Sequence, residues 1–405
     1  MKRTRVLLSE ASSLTAREFT TVLGRSGVEV EAVSSAGLPL VRFSRWCRRV
    51  HRAPAPSEDP EGYLHRVDAL MATGDFDALL PTHEQAWLFA AGRDLLPHSR
   101  VAVATIDAFD QVQSKTAFAT LLDTLGLPQP AWRRVQSAGD LEAVGFPVWV
   151  KTAFSTAGRG VARASDPEQA RMLWRRFTAA APAVPVMVQA CAEGRYAQVQ
   201  GLFDHGRLLA GAVSEQLAVG AGGSAAARLS VDHPHAIDAI RTLGGHLGWH
   251  GGLTLDYLHL NGHPSFIECN PRTIEPGNAA AAGVDLPTLT IALTRGGDLP
   301  EFPLLTRAGV RTRSTMAIAL GAAEQRHTRR AILAALTASL RRIPPLQGST
   351  EVLTPVLADP PSLIPFAIAV GTVLAGPARV ASLAGATVEA YAVTPSALER
   401  VRPAR

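Results

Sequence analysis

Residues 253–272 read LTLDYLHLNGHPSFIECNPR. Two runs rich in apolar and β-branched residues flank Asn-Gly-His, the pattern of a β-hairpin. Strand side chains alternate between two faces, which puts Glu268, Asn270 and Arg272 on one side. If the loop holds an odd number of residues, such as Asn261-Gly262-His263, Asp256 of the first strand sits directly across from Glu268. The neighbouring PSFI and AAAAGVDLP are apolar and imply burial, where unpaired carboxylates are costly. That argues against a solvated sheet face with an ion pair. Two carboxylates and an amide carbonyl suit Mg²⁺, which takes one or two protein carboxylates beside substrate phosphates. Arg272 on the same face would neutralise charge developing on a transferred phosphoryl group.

A second stretch, WVKTAFSTAGRGV at residues 149–161, delivers Lys151 from a strand into a loop of small residues with Gly158 and Gly160. Such a loop lets backbone N–H groups close over phosphate oxygens while the lysine supplies a point charge. It is not a Walker A loop, since no Lys-Ser/Thr follows the glycine, and alone it reads equally well as a flexible hairpin. Beside the carboxylates it becomes half of a nucleotide site.

The chain of 405 residues is 47% hydrophobic, enough for two or three domains with cores of their own. The formal charge of +5, from 40 Lys+Arg against 35 Asp+Glu, is too mild and too dispersed to argue for nucleic acid. Cys47, Cys191 and Cys269 are too few for a disulfide framework or a four-ligand zinc site, read as small buried hydrophobes, and fit a reducing cytoplasm. The N-terminal apolar run stops at Leu8, too soon for a signal peptide. Residues 360–378 are uncharged but broken by Pro365, Gly371 and Pro377, so they read as a buried element and not as a membrane span.

The first hundred or so residues alternate short apolar runs, RVLLSE, GVEVEAV, DALLPT and RVAVAT, with longer helical stretches, which predicts a doubly wound parallel sheet. Within them VRFSRWCRRVHRAPAPSEDP reads as a solvated helix followed by a proline-rich loop. A helix over QVQSKTAFATLLDTLG, ending at Gly126, opens a mixed α+β middle region whose strands are mostly antiparallel. The expected division is 1–110, 111–300 and 301–405, the last an α/β extension without a chemical motif.

In order of elements over roughly residues 1–300 the chain resembles the ATP-grasp superfamily, which includes biotin carboxylases, carbamoyl-phosphate synthases, D-alanine–D-alanine ligases and many carboxylate–amine ligases. The acid, acid, asparagine, arginine order in DYLHLNGHPSFIECNPR carries the resemblance. It implies an N-terminal pre-ATP-grasp domain and a nucleotide held between two α+β subdomains. It implies ATP with Mg²⁺ or Mn²⁺, metal-ligand roles for Asp256, Glu268 and Asn270, and a phosphate or acyl-phosphate role for Arg272. Lys115 in QSKTAF and Lys151 match the two phosphate lysines, and Ser155, Thr156, Ala157, Gly158, Arg159 and Gly160 match the loop over the triphosphate. VMVQACAEG resembles the adenine linker, with Gln189 at the adenine amino group, the backbone of Ala190 and Ala192 making further contacts, and Glu193 in reach of the ribose, since Tyr196 holds the usual acidic position.

After Arg272 the sequence runs TIEPGN, without the glutamine and glutamate that biotin carboxylases use for bicarbonate. VGAGGSAAARLSVDHP resembles the carboxylate–amine ligases, with Arg228 meeting the acyl substrate or, equally, forming a surface salt bridge. His83 and Glu84, after a strand of the first sheet, would line the acyl pocket or simply start a helix capped by Thr82. His246 and His250 are spaced for zinc, but glycines end their helix and no third ligand is near. The expectation is an ATP-dependent carboxylate–amine ligase releasing ADP and phosphate, acting on a small carboxylate and an amine, with a homodimer left open. The alternatives are a non-catalytic ATP-binding sensor and an ATP-grasp carboxylase or kinase.

Overall fold

The computed structural model describes residues 3–142, 145–155 and 160–402. Strands β1 (Arg5–Leu8), β2 (Glu29–Ser34), β3 (Cys47–Arg52) and β4 (Ala78–Leu80) pair in parallel in the order β3-β2-β1-β4. In β1 and β4, Val6, Leu7, Leu8, Leu79 and Leu80 are all fully buried. A parallel strand covered on both faces reads as an unbroken apolar run, which is why these two were legible. The basic cluster is the exception to the expected pattern: it forms the edge strand β3 and not a solvated helix. As an edge strand it pairs on one side, and its exposed Arg48, Arg49 and Arg52 discourage further pairing there. RVAVAT adds no strand, although the Leu79 N–H donates to the Arg100 carbonyl at 2.8 Å.

The helix expected from Gln111 to Gly126 is two helices, Ile106–Gln113 and Lys115–Thr124, broken at Ser114. Ser114 has extended backbone and its hydroxyl accepts from the Ala117 N–H, so it starts a new helix and holds Lys115 in its first turn. A small antiparallel sheet follows, built from β5 (Trp132–Val135), β6 (Val148–Thr152), β7 (Val161–Ala164) and β8 (Val186–Ala190) in the order β5-β8-β6-β7. The helix Pro167–Ala180 packs Leu173 and Phe177 on it.

The large sheet carries β9 (Arg195–Asp204), β10 (Arg207–Val219), β11 (Ala225–Ser230), β12 (Gly251–Leu260) and β13 (His263–Asn270). It continues through the short β14 (Leu304–Leu305), β15 (Arg311–Arg313) and β16 (Thr350–Glu351), in the order β13-β12-β9-β10-β11-β15-β16 with β14 on β10. The sheet therefore runs across the boundary expected at residue 300. Helix Pro234–His246 covers its back with Ile240 and Leu243 against Phe203, Leu253, Leu255 and Tyr257.

The C-terminal residues return to the first sheet. The Gln85 side-chain amide donates to the Tyr391 carbonyl at 2.7 Å, and Asp359 forms a fully buried ion pair with Arg17 while accepting from Ser44. Residues 360–378 hold the helix Leu363–Ala375, and it is not the buried element expected: Ile364 and Ile368 are about half exposed. Among the described residues no helix is long and apolar enough to cross a membrane.

Candidate active site

The hairpin turn has two residues, not three. Asn261 (φ 51°) and Gly262 (φ 83°) form the tight connection, with Leu260 paired to His263. An even loop alone would set Asp256 opposite Ile267. A bulge restores the parity: Tyr257 pairs with Phe266 and Asp256 with Glu268, leaving Ile267 without a partner. The carbonyl that Ile267 would have spent in the ladder accepts from the Lys151 ammonium at 3.3 Å, tying the large sheet to the small one.

Around Asp256, on its face of β12, β9, β10 and β11, lie residues that are polar yet buried: Thr254, Gln198, Gln200, Ser214 and Arg228. Gln200 and Gln198 form a directed chain of hydrogen bonds to Asp256. The Ile274 N–H donates to Gln200 (3.2 Å), the Gln200 amide to Gln198 (3.4 Å), and the Gln198 amide to Asp256 (2.8 Å). One end can only donate and the other can only accept, so both glutamine orientations are fixed. Asp256 also accepts from Asn270 at 3.1 Å and from the Tyr196 hydroxyl. Burial, and then the facing Glu268, raise its carboxyl to about 6.

Glu268 has different company. Lys115 lies 2.9 Å from it. Burial pushes the Glu268 carboxyl up, but Lys115 and Lys151 outweigh that and hold it below its usual range. Lys115 also donates to Ser155 Oγ at 3.2 Å. Lys151 donates to Gln189 Oε1 at 2.6 Å; burial, joined by Lys115, lowers its ammonium to about 8. Arg272 is buried, and its Nε meets no acceptor. Such an orphaned cationic donor beside two carboxylates fits an anionic ligand bridged by a cation.

Several expected residues sit elsewhere than their reading suggested. The Gln189 oxygen is occupied by Lys151, and the Ala190 N–H is spent on the Ala131 carbonyl at 2.8 Å. Ala192 is half-buried and Glu193 exposed in the connection to β9. Arg228 is no surface residue: it is buried, with Glu275 at 2.9 Å and Ser214 at 3.4 Å. Thr82 caps no helix. Its hydroxyl donates to Glu10, and the helix Gln85–Ala91 starts after Glu84 without a side-chain cap. His83 lies under Tyr391 with ring centroids 3.9 Å apart, and burial, helped by Arg272, keeps its imidazole neutral. Gly160 and Ser155 flank the small-residue loop, whose Thr156, Ala157, Gly158 and Arg159 lie outside the described residues.

Among solved structures, the biotin carboxylase domain of a Hydrogenobacter thermophilus 2-oxoglutarate carboxylase, a dimer complexed with MgADP and bicarbonate, is 13% identical with a TM-score of 0.60, covering 77% of this chain and 74% of that one. An L-amino acid ligase from Bacillus licheniformis is 18% identical with a TM-score of 0.54, covering 73% and 75%. These likenesses concern the fold. In sequence, a carbamoyl phosphate synthase large chain from Gemmatimonas aurantiaca is 28% identical over 214 residues, 48% of this chain and 19% of that protein. An arginine-specific large chain from Eremothecium gossypii is 29% identical over 113 residues, 27% of this chain and 10% of that one. The chain is an ATP-grasp relative.

No protein-family model matches the chain, and it spans only a tenth to a fifth of the length of these two curated relatives. In this ATP-grasp relative the sequence reading missed Gln198 and Gln200, and it gives Tyr196 only as standing at the usual acidic position, not as a donor to Asp256. Their signal was present: YAQVQ alternates polar residues along a strand whose other face is apolar, the pattern of a face that holds a ligand or water. The zinc spacing does not survive. His246 is exposed at the end of its helix, while His250 meets Asp204 and His205, whose ligand atoms lie within 4.8 Å of its own. The two imidazoles stack at 4.2 Å with 20° between planes, so their in-plane lone pairs do not converge on one point.

Proposed function

We propose that the protein is an ATP- and Mg²⁺-dependent carboxylate–amine ligase. The observation that carries this reading is the convergence of Asp256, Glu268 and Asn270 with Lys115, Lys151 and the orphaned Arg272 Nε. Mg²⁺ (or Mn²⁺), when bound by Asp256, Glu268 and Asn270, would neutralise charge on the transferred phosphoryl group. ATP would lie between the small and the large sheet, with the domain at 1–110, the grasp at 111–300 and the extension at 301–405 arranged around it. Lys115 and Lys151 would hold its phosphates, and the loop from Ser155 to Gly160 would close over them. Gln189, Ala190, Ala192 and Glu193 flank the adenosine end, where Gln189 reaches adenine only by leaving Lys151.

A carboxylate oxygen of the acid substrate takes the γ-phosphoryl group and ADP leaves. The amine then attacks the carbonyl carbon of the acyl phosphate, phosphate departs, and nitrogen loses a proton to leave an amide. Arg272 stabilises charge on the phosphoryl group and Arg228 holds the acid, exchanging its partner Glu275 for the substrate. No protein nucleophile is needed. The missing bicarbonate pair after Arg272 supports ligation over carboxylation, and a full set of phosphate and metal residues supports turnover over sensing. The scarcity of cysteine supports a reducing, cytoplasmic setting.

The test is trapping. Hydroxylamine with ATP and the correct acid should give a hydroxamate, with ADP and phosphate as the other products. Appearance of AMP and pyrophosphate, or turnover supported by bicarbonate alone, would replace this reading with adenylation or carboxylation. Arg228→Ala should raise KM for the acid more than KM for ATP.

A further inference from the structure

The C-terminal region carries an apolar surface that lies outside the ATP site. The 13 residues of helix Leu363–Ala375, LIPFAIAVGTVLA, contain no charge. The helix packs inward through Val370 and Val373 against Ala319, Ala323 and Ile332. Its outer side leaves Leu363, Ile364 and Ile368 50%, 48% and 54% exposed. Arg329 donates to the carbonyls of Leu374 and Ala375, so the helix Arg329–Leu340 begins where this one ends. That neighbour adds Leu333 and Leu340, 53% and 67% exposed and seven residues apart on one side of the helix.

The chain that builds this surface carries mostly one sign of charge, with Glu324 and Glu389 at the two ends of the stretch. Residues 325–388 contain six arginines (326, 329, 330, 341, 342 and 379) and two acids, Glu351 and Asp359. Both acids are engaged: Glu351 accepts from Thr315 at 3.0 Å, and Asp359 is buried against Arg17. Arg330 and Arg341 lie on the helix side that shows Leu333 and Leu340. They and Arg342 and Arg379 are exposed, and among the described residues none of the four pairs with a carboxylate.

An apolar face rimmed by unpaired arginines matches the acyl boundary and the anionic headgroups of a bilayer. A second copy of the chain fits worse. Two-fold contact would set the patch against itself, bringing arginine toward arginine. At 13 residues the helix is too short to span hydrocarbon, so it would lie in the plane of the surface. We propose that this face docks the protein reversibly on an anionic lipid bilayer, with Leu363, Ile364 and Ile368 entering the headgroup boundary.

The full chain would be floated with vesicles of phosphatidylcholine alone and of phosphatidylcholine containing one third phosphatidylglycerol. Binding to the anionic vesicles should exceed binding to the neutral ones by roughly fivefold or more and should fall in high salt. Ile364→Glu with Ile368→Glu, and separately Arg330→Glu with Arg341→Glu, should each reduce the bound fraction severalfold. Circular dichroism and melting temperature of both variants should match the wild type, since every substituted side chain is exposed. Failure to bind anionic vesicles, equal binding to both compositions, or variants that bind like the wild type would overturn the proposal. A concentration-dependent dimer that Ile368→Glu dissociates, without any vesicle binding, would assign the face to a second copy instead.

Discussion

The two faces of β12 are both covered by protein, and they are built on opposite rules. Toward helix Pro234–His246 the strand turns Leu253, Leu255 and Tyr257, all fully buried among apolar neighbours. Toward the small sheet it turns Thr254 and Asp256, just as inaccessible but held by glutamines, an asparagine and a tyrosine. The back face gains its stability by removing apolar area from water. The front face gives up that gain and keeps carboxylates and cations a few ångströms apart, tolerable in the resting protein because hydrogen bonds or ion pairs hold Asp256, Glu268, Lys115 and Lys151, while Arg272 Nε is left without an acceptor. Equal burial thus has two meanings, and only the chemistry of the side chains tells them apart.

The contrast can be broken from either side. The largest effect is expected at the front: Glu268→Gln, or Asn270→Ala, should lower kcat for ADP release by about a hundredfold or more with little change in melting temperature. Near-wild-type turnover would remove the metal assignment. At the back, Leu255→Ala should cost about 2–5 kcal/mol of stability by chemical denaturation. Its KM for ATP should stay unchanged wherever the protein remains folded; a nucleotide-binding defect without a stability loss would contradict the division.

A further substitution tests the strain that burial puts on the front face. Because burial and Glu268 raise Asp256 to about 6, the folded state prefers its protonated form. That preference stabilises the fold fully below the ordinary carboxylate range and is lost as pH rises through about 6. Asp256→Asn should therefore stabilise the metal-free protein near pH 7.5 by up to roughly 3 kcal/mol, and the gain should vanish near pH 4. The apparent Mg²⁺ affinity of the wild type should fall below about pH 6 for the same reason. A gain independent of pH would mean that the carboxylate is not strained. The smallest effect concerns positioning: Gln198→Leu should reduce kcat by about tenfold, leave KM for ATP nearly unchanged, and shift the pH optimum upward, since Asp256 loses a donor that favours its charged form.

The elements that were legible in the sequence are those in which one physical signal dominates. β1 and β4 announced themselves as short apolar runs, and the hairpin by alternation around Asn-Gly. β3 did not, because an edge strand paired on one side carries its arginines in water and looks like a polar helix. The break at Ser114 was hidden inside good helix-forming sequence, although a serine followed by Lys-Thr-Ala is a fair start signal. At the site, Asp256, Glu268, Asn270 and Arg272 come from one hairpin and the two residues after it, so their spacing was readable, although the expected pairing holds because a two-residue turn and a bulge replace the three-residue loop. Gln198 and Gln200 come from a strand more than 50 residues earlier, and which strands become neighbours is settled by tertiary packing. The exposed helix Leu363–Ala375 misled for a different reason: apolar composition reports that a segment avoids water, not what it meets instead.

The unpaired Ile267 sets a rule of arithmetic for anyone rebuilding this hairpin. Turn length and bulge together hold Asp256 and Glu268 in phase, and residues added at the tip can be taken up in a longer loop with the Asp256–Glu268 pairing preserved. Deleting Ile267 would leave that pairing in place as well, since Tyr257 already opposes Phe266 and Asp256 already opposes Glu268. In that deletion the strands would stay in phase, but Lys151 would lose the carbonyl that now binds it to the opposite sheet.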